Sequence, residues 1–423
     1  MSKNTPSLAA PRGMRDFYPD QMAIQSHLFD TWRTSAERFG FQRYDACVVE
    51  SLDLLKRKAG EEIVDQIYAF KDKSDRDLAL RPEMTPTLAR MVAARQGALE
   101  LPLKWFTIAQ CFRYERTTRG RKREHYQLNL DIIGEPAVTA EVEVIAAAID
   151  ALHGLGLTPA DFKVRISSRA LLGDILAAAG IPPDHHAAAF LALDKRGKLP
   201  DEKIGELLAE AGVSAEVQTA VFGLLDITSL DEVRALLGER DSEGLKDLDA
   251  CLAGLAAYGM ADAVVFDIAV IRGLAYYTGI VFEAFDTDGK LRAIFGGGRY
   301  DNLLAAVGGR PQTGVGLGFG DVVVAELLAE KGLLNTGTQR ARITVGYMAD
   351  EQQRTAADVA ARLRAEGEQV DLALHAEKPR AFFSRADKRA FARGVYIGPD
   401  DLAKGEVRIK DLVTREESVL SLA

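Results

Sequence analysis

The sequence predicts an α+β protein: a mainly antiparallel sheet flanked by helices, a helical insertion, and a separate C-terminal α/β domain. Three observations carry this. In the first 133 residues, short β-rich runs follow one another through turns rather than crossover helices, the pattern of antiparallel pairing. From about residue 169 to residue 260 the chain becomes rich in Ala, Leu and Glu. Beyond a polar linker at 335–339, strand-like apolar runs alternate with helical ones.

Each element has its own signal. Ile24, Leu28, Phe29, Trp32, Ala36 and Phe39 recur at three- and four-residue steps, predicting an amphipathic helix over 20–40 that Gly40 closes. Strands are expected at 44–49, 66–70, 78–80, 105–114 and 126–133. A helix is expected over 86–94, with Thr85 as its N-cap. In the Ala/Leu/Glu block, Gly and Pro breaks at 180–183 and 197–200 separate helices. Strand character returns at 263–271, 280–285 and 291–295, followed by the triplet Gly296-Gly297-Gly298. After the linker the order is strand 343–347, helix 351–367, strand 370–374, basic helix 381–394 and strand 395–397. This divides the chain into a core (1–170 with 261–334), an insertion (171–260) and a C-terminal domain (341–423).

Composition narrows the function. The 423 residues carry a formal net charge of −9, and residues 171–260 alone account for about that much. The remaining chain is near neutral, so local basic patches can hold nucleic acid despite the overall acidity. Three widely spaced cysteines, Cys47, Cys111 and Cys251, make neither a disulfide framework nor a zinc site. Residues 1–15 have no apolar signal core, and the most apolar run, 263–285, is broken by Asp267, Arg272 and Glu283. A cytoplasmic protein with no membrane association is expected.

The chemistry is concentrated in four segments. Between Arg113 and Arg123, six of eleven residues are Arg or Lys. Guanidinium forks match phosphate oxygens and stay charged at working pH. Glu115, alternating with Arg113, offers an acceptor to an amino group such as that of adenine. The four segments are Leu80-Arg81-Pro82-Glu83-Met84-Thr85; Phe112-Arg113-Tyr114-Glu115-Arg116 with His125-Tyr126-Gln127-Leu128-Asn129-Leu130-Asp131; Arg272-Gly273-Leu274-Ala275-Tyr276-Tyr277-Thr278-Gly279; and Gly296-Gly297-Gly298-Arg299-Tyr300-Asp301 followed by glycines spaced from 314 to 320.

Together with Pro11-Arg12-Gly13-Met14-Arg15-Asp16, these segments closely resemble the histidyl-tRNA synthetases, of the class II synthetase fold. The resemblance covers nearly the whole chain. The Phe-Arg-x-Glu segment marks class II generally, and Arg-Gly-Leu-x-Tyr-Tyr is far more specific to the histidine enzymes and their paralogues. It implies ATP-dependent activation of L-histidine to histidyl-adenylate and transfer to the 3′ end of tRNA(His), by a homodimer, with Mg2+ accompanying ATP.

The resemblance also implies roles. Arg113 would hold the α-phosphate, Glu115 the adenine amino group, and Arg272 would lie between the histidine carboxylate and the α-phosphate. Glu83, Thr85 and Gln127 would accept from the α-ammonium. Asp131 would accept the imidazole N–H, and Tyr277, with Tyr276 adjacent, would donate to the bare nitrogen. Arg81, Arg299 and Asp301 read as structural. Two departures stand out: Cys47 where the first class II motif usually has proline, and Asp321 where the third usually has a phosphate-binding arginine. Arg121 and Arg123, on a loop with few acidic neighbours in sequence, are the expected substitutes at the outer phosphates. In the C-terminal domain, Arg385, Lys388, Arg389 and Arg393 would face the tRNA backbone. The competing reading is a paralogue serving as regulatory subunit of ATP phosphoribosyltransferase, which keeps the binding fold without the ligase activity.

Overall fold

Strict alternation along the strands gives the main sheet two unlike faces. In the computed structural model, which describes residues 8–56, 65–195, 199–270, 277–334 and 342–422, the chain divides into two compact units, Met1–Asn335 and Thr336–Ala423. The first is built on an eight-stranded sheet: β1 (Gln42–Arg43), β5 (Leu103–Phe112), β6 (Glu124–Ile133), β7 (Phe162–Ser168), β8 (Val264–Phe266), β9 (Ile280–Asp286), β10 (Phe295–Arg299) and β11 (Gly314–Gly320). Its order is β1-β5-β6-β11-β10-β9-β7-β8, antiparallel throughout except for the outermost pair at each edge. A small sheet of β2 (Val49–Ser51), β3 (Tyr68–Lys71) and β4 (Asp77–Leu80) stands beside it. The expected α+β class, with a mainly antiparallel sheet, is what the chain adopts.

On the back face, Leu128, Leu130, Ile132, Val315, Leu317, Phe319, Phe295 and Phe282 are buried in one apolar cluster with Leu28 and Trp32 of the Pro19–Arg38 helix. The Thr139–Gly154 helix fills the rest, and its run of alanines lets the neighbouring helix come close: Ser35 Oγ donates to Ala147 O at 2.8 Å. An ion pair is buried in this layer. Glu141, 1% exposed, receives both prongs of the Arg299 guanidinium, at 2.7 and 2.6 Å. Burial pushes the Glu141 pKa up, and Arg299 pulls it back. Arg299→Met leaves a buried carboxylate unpaired and is expected to cost about 3–5 kcal/mol, read as a lowered midpoint in denaturant unfolding.

The helical block is not a separate body. Its described helices, from Arg169–Ala178 to Glu243–Ala257, place Leu172, Leu208, Val233, Leu248 and Leu255 in the same cluster as the sheet's back face. Two of these helices touch at backbone distance: a Cβ on Gly244 would lie 2.3 Å from Leu171 N. Here glycine is required by close approach.

Several expected boundaries move, each for a local reason. Thr85 is the first helical residue of Thr85–Arg95 rather than its cap, with Pro86 in the first turn where a missing N–H costs nothing. The strand expected over 263–271 stops at Phe266, because the Asp267 carboxylate accepts from Ala269 N and turns the chain. The strand expected over 44–49 is largely absent: β1 ends before it at Arg43 and β2 begins only at Val49. The glycine triplet lies inside β10, not after a strand.

The second unit has a five-stranded sheet in the order β13-β12-β14-β15-β16. β12 (Arg342–Tyr347), β13 (Gln369–Leu372) and β14 (Arg393–Ile397) are parallel, and β15 (Glu406–Asp411) with β16 (Glu417–Ser421) adds an antiparallel hairpin absent from the sequence reading. The basic helix is Pro379–Lys388, shorter than expected: Ala390 adopts φ +53° and the chain enters β14 at Arg393.

Candidate active site

The front face of the main sheet is floored by glycine. Register places Gly314, Gly316, Gly318 and Gly320 opposite Ile133, Asp131, Asn129 and Gln127, with Gly298 and Gly296 on the far side. A Cβ on Gly316 would lie 2.1 Å from Asp131 Oδ1, and one on Gly318 2.5 Å from Gln127 Nε2. The missing side chains are what let Asp131 and Gln127 lie flat across the sheet. On the neighbouring strand, a Cβ on Gly298 would meet the Tyr277 ring at 2.9 Å.

Asp131 is 1% exposed, and burial raises its pKa to about 7 against a lowering hydrogen bond from Tyr300, whose hydroxyl donates to Oδ1 at 2.5 Å. Its other oxygen, Oδ2, is buried and has no partner among the described residues, and the same holds for the hydroxyls of Tyr44 and Thr87 and the Asn129 Oδ1. Tyr44 packs on Trp105, the residue directly opposite Asp131, and the negative field of Asp131 adds to burial in raising its pKa. Unsatisfied buried groups are costly, and a polar ligand entering here would relieve that cost. Tyr44 and Asn129 are site residues the sequence reading missed. Asn129 falls in phase with Gln127 and Asp131, a period-2 signal that was available.

The segment from 81 to 85 is fastened from below. Arg81, 2% exposed, donates to Gln110 O at 2.9 Å and Ala46 O at 3.0 Å. This holds buried Glu83 and the first-turn Thr85 beside β5, as a structural Arg81 requires. Arg113 is tied to the same segment through Nε to Pro82 O at 2.9 Å. His125, at the same end of the sheet, is held neutral: burial, then the positive fields of Arg113 and Arg15, lower its pKa to about 3.

The basic loop departs from expectation. Arg121 pairs with Glu115 at 2.6 Å, which places the two groups expected on opposite ends of ATP against each other. Arg123 stacks over the Tyr114 ring at 3.9 Å and donates to Glu115 O at 3.1 Å. Arg119 pairs with Glu326 and Glu330 of the Asp321–Glu330 helix, and Gly120 N donates to Glu326 at 3.0 Å. The sequence hid these acids because the two glutamates lie some two hundred residues away. Asp321 is no phosphate ligand in this arrangement; it is 4% exposed, accepts from Tyr126 N and pairs with Arg15, each at 2.9 Å. Cys47 is exposed and lies 3.7 Å from both Glu50 and Arg90. Arg272 and Tyr276 lie outside the described residues.

In the second unit, Arg385 is committed: it pairs with Glu377 at 2.9 Å and Asp371 at 3.1 Å. Arg393 lies in β14, not on the helix, and pairs with Glu368 at 2.8 Å. Lys388 and Arg389 are exposed at the helix end. Among the described residues, no group of three or more His, Cys, Asp or Glu is placed to hold a metal.

This geometry can be set beside known proteins. The family model for histidyl-tRNA synthetase matches residues 13–320, and that for an anticodon binding domain matches residues 337–423. The chain belongs to the histidyl-tRNA synthetase family. It is 42% identical to the chloroplastic/mitochondrial histidine–tRNA ligase of Arabidopsis thaliana, covering 98% of this chain and 85% of that one. With the histidine–tRNA ligase of Opitutus terrae the identity is 43%, over 96% and 94%. A crystal structure of histidyl-tRNA synthetase from a Nostoc species superposes with TM-score 0.82 at 25% identity, covering 99% of this chain and 97% of that one. Within this family's fold, the glycine-floored face carries the Asp131 carboxylate toward one end and Arg113 lies at the other.

Proposed function

We propose that the chain is a histidine–tRNA ligase: it condenses L-histidine with ATP to histidyl-adenylate, releases pyrophosphate, and transfers the histidyl group to the 3′ end of tRNA(His). The observation that carries the site reading is the buried Asp131 Oδ2, without a partner among the described residues, on the face that also holds Gln127 and, at its far end, Arg113. In this reading the imidazole N–H donates to Asp131 and a tyrosine hydroxyl, that of Tyr277, donates to the other ring nitrogen. Glu83, Thr85 and Gln127 accept from the α-ammonium. Both ring nitrogens are then paired, and an apolar analogue would leave buried polar groups unsatisfied. Arg113 and Arg272 screen the approach of carboxylate to α-phosphate, two anions that otherwise repel. Glu115 accepts from the adenine amino group once Arg121 releases it. Mg2+ is expected to arrive on the ATP phosphates. The second unit takes the anticodon arm, with Lys388 and Arg389 among its exposed cations, while Arg385 and Arg393 act through their carboxylate partners. A homodimer working in the cytoplasm completes the reading; no described helix is long and apolar enough to cross a membrane.

The deciding experiment is exchange of labelled pyrophosphate into ATP by the purified chain. It is expected with histidine and with no other standard amino acid. Histidine binding without exchange would instead favour the regulatory-subunit paralogue.

The pocket has its own test. Asp131→Asn replaces a charge-assisted acceptor, worth about 1.5–3 kcal/mol, and is expected to raise the histidine KM about ten- to hundredfold. Stability should move the other way. With a native pKa of about 7, Asp131 binds its proton more tightly when folded than when unfolded. Its stabilising contribution is therefore present at low pH and is lost as pH rises through about 7. Asparagine has no such loss, so the variant should melt no lower than the parent at pH 8. A fall in both affinity and melting temperature at pH 8 would make Asp131 a structural group.

A further inference from the structure

Outside the basic loop, one guanidinium at the ATP end of the face is held in place yet has donors to spare. Arg15 lies in the segment that precedes the first helix. Its Nη2 donates to Asp321 at 2.9 Å and to Glu124 O at 3.3 Å, and its plane sits 4.8 Å from the Phe17 ring. Among the described residues, neither Nε nor Nη1 has an acceptor, and Nε is buried. Asp321 is itself fixed by Tyr126 N at 2.9 Å, at the first position of the Asp321–Glu330 helix.

The position is set by register. Glu124 lies opposite Phe112, so the carbonyl that takes Arg15 is one residue from Arg113, whose N–H donates to Arg123 O at 2.9 Å. Gly320, just before Asp321, lies opposite Gln127. Arg15 and Arg113 therefore sit at one end of the sheet, with His125 under the positive field of both. Three loop arginines have other engagements, Arg119 with two glutamates, Arg121 with Glu115 and Arg123 with the Tyr114 ring.

We propose that Arg15, oriented by Asp321, is a ligand of the outer phosphates of ATP and of the departing pyrophosphate. The inference rests on the adenylate-forming reading above. In that step a histidine carboxylate oxygen forms a bond to the α-phosphorus. The bond from that phosphorus to the bridging oxygen breaks, and its electron pair leaves with pyrophosphate. Negative charge thus accumulates on the outer phosphates, where a cation with unused N–H donors acts. A carboxylate that fixes an arginine brings a guanidinium to a position where Asp321 alone would offer only negative charge. The acid and the cation are one device.

The test is the ATP dependence of histidine-driven exchange, with ATP affinity measured in parallel by calorimetry so that a result is obtained even from a chain that does not exchange. Arg15→Ala is expected to raise the ATP KM and Kd tenfold or more, with the histidine KM within twofold of the parent. Arg15→Lys should recover part of the loss. Because Arg15→Ala leaves Asp321 buried and unpaired, the double variant Arg15→Ala, Asp321→Asn removes both charges. If Arg15 only balances Asp321, the double variant will bind ATP like the parent, and the proposal falls. It falls equally if Arg15→Ala leaves ATP affinity unchanged. An ATP KM that stays high in a double variant of normal melting temperature supports it. Absence of exchange in the unsubstituted chain, with Arg15-dependent ATP binding intact, would overturn the ligase reading and keep the phosphate site.

Discussion

Alanine at Arg113 is expected to lower histidine-dependent pyrophosphate exchange by about a hundredfold or more, since loss of one preorganised donor to a developing oxyanion costs roughly 3–4 kcal/mol. The same size of loss is expected for Arg272→Ala. The two differ in what else they should change. Arg113 Nε is bound to Pro82 O, so removing it also loosens the segment that carries Glu83 and Thr85. Arg113→Ala should therefore raise the histidine KM somewhat, whereas Arg272→Ala should act chiefly on kcat. Exchange reduced less than tenfold in either variant would assign that arginine a structural role.

The second large effect concerns residues 341–423. This unit has its own core, in which Ile343, Val345, Tyr347, Val359, Leu363, Val395 and Ile397 are buried together. The main sheet's apolar cluster draws its buried members from Leu28 to Leu328, none of them in this unit. Exchange should survive within a few-fold. Aminoacylation of tRNA should fall by about three powers of ten or more, because backbone contacts supply much of nucleic-acid affinity and many are lost together. Steady-state charging of tRNA and exchange, measured on the same preparation, separate the outcomes. Parallel loss of both activities would mean that these residues support the catalytic fold.

Much of this arrangement was legible where spacing is local. Gln127 and Asp131 stand at even spacing on one strand, and the glycines from 314 to 320 repeat the same period, so one face follows from the other. The Pro19–Arg38 helix declared itself through its apolar steps and Gly40. Elements overran where a single side chain ended them, as Asp267 does for β8, or where a non-glycine residue takes a positive φ, as Ala390 does after the basic helix. Long-range pairing was beyond reach. Asp321 read as an acid in place of a cation because its partner, Arg15, is 306 residues earlier. The loop arginines read as unopposed because Glu326 and Glu330 approach only through the fold. The Glu115–Arg121 pair was nearer to hand: the six-residue spacing closes once the Thr118–Arg121 bridge turns the chain back. Tyr44 gave no signal, since an isolated tyrosine at a strand end has no periodicity to betray it.

The helical block between Arg169 and Ala257 has a bearing on chimeras. By composition it looks like a cassette that could be exchanged between relatives at its two ends. Its leucines and valines, however, are neighbours of the sheet's own back-face residues, and Gly244 meets Leu171 with no room for another atom. A foreign block would bring side chains shaped for another sheet, and the mismatch would fall in the shared interior rather than at a hinge. Recombination points that respect this molecule lie after residue 334, not at the edges of its helices.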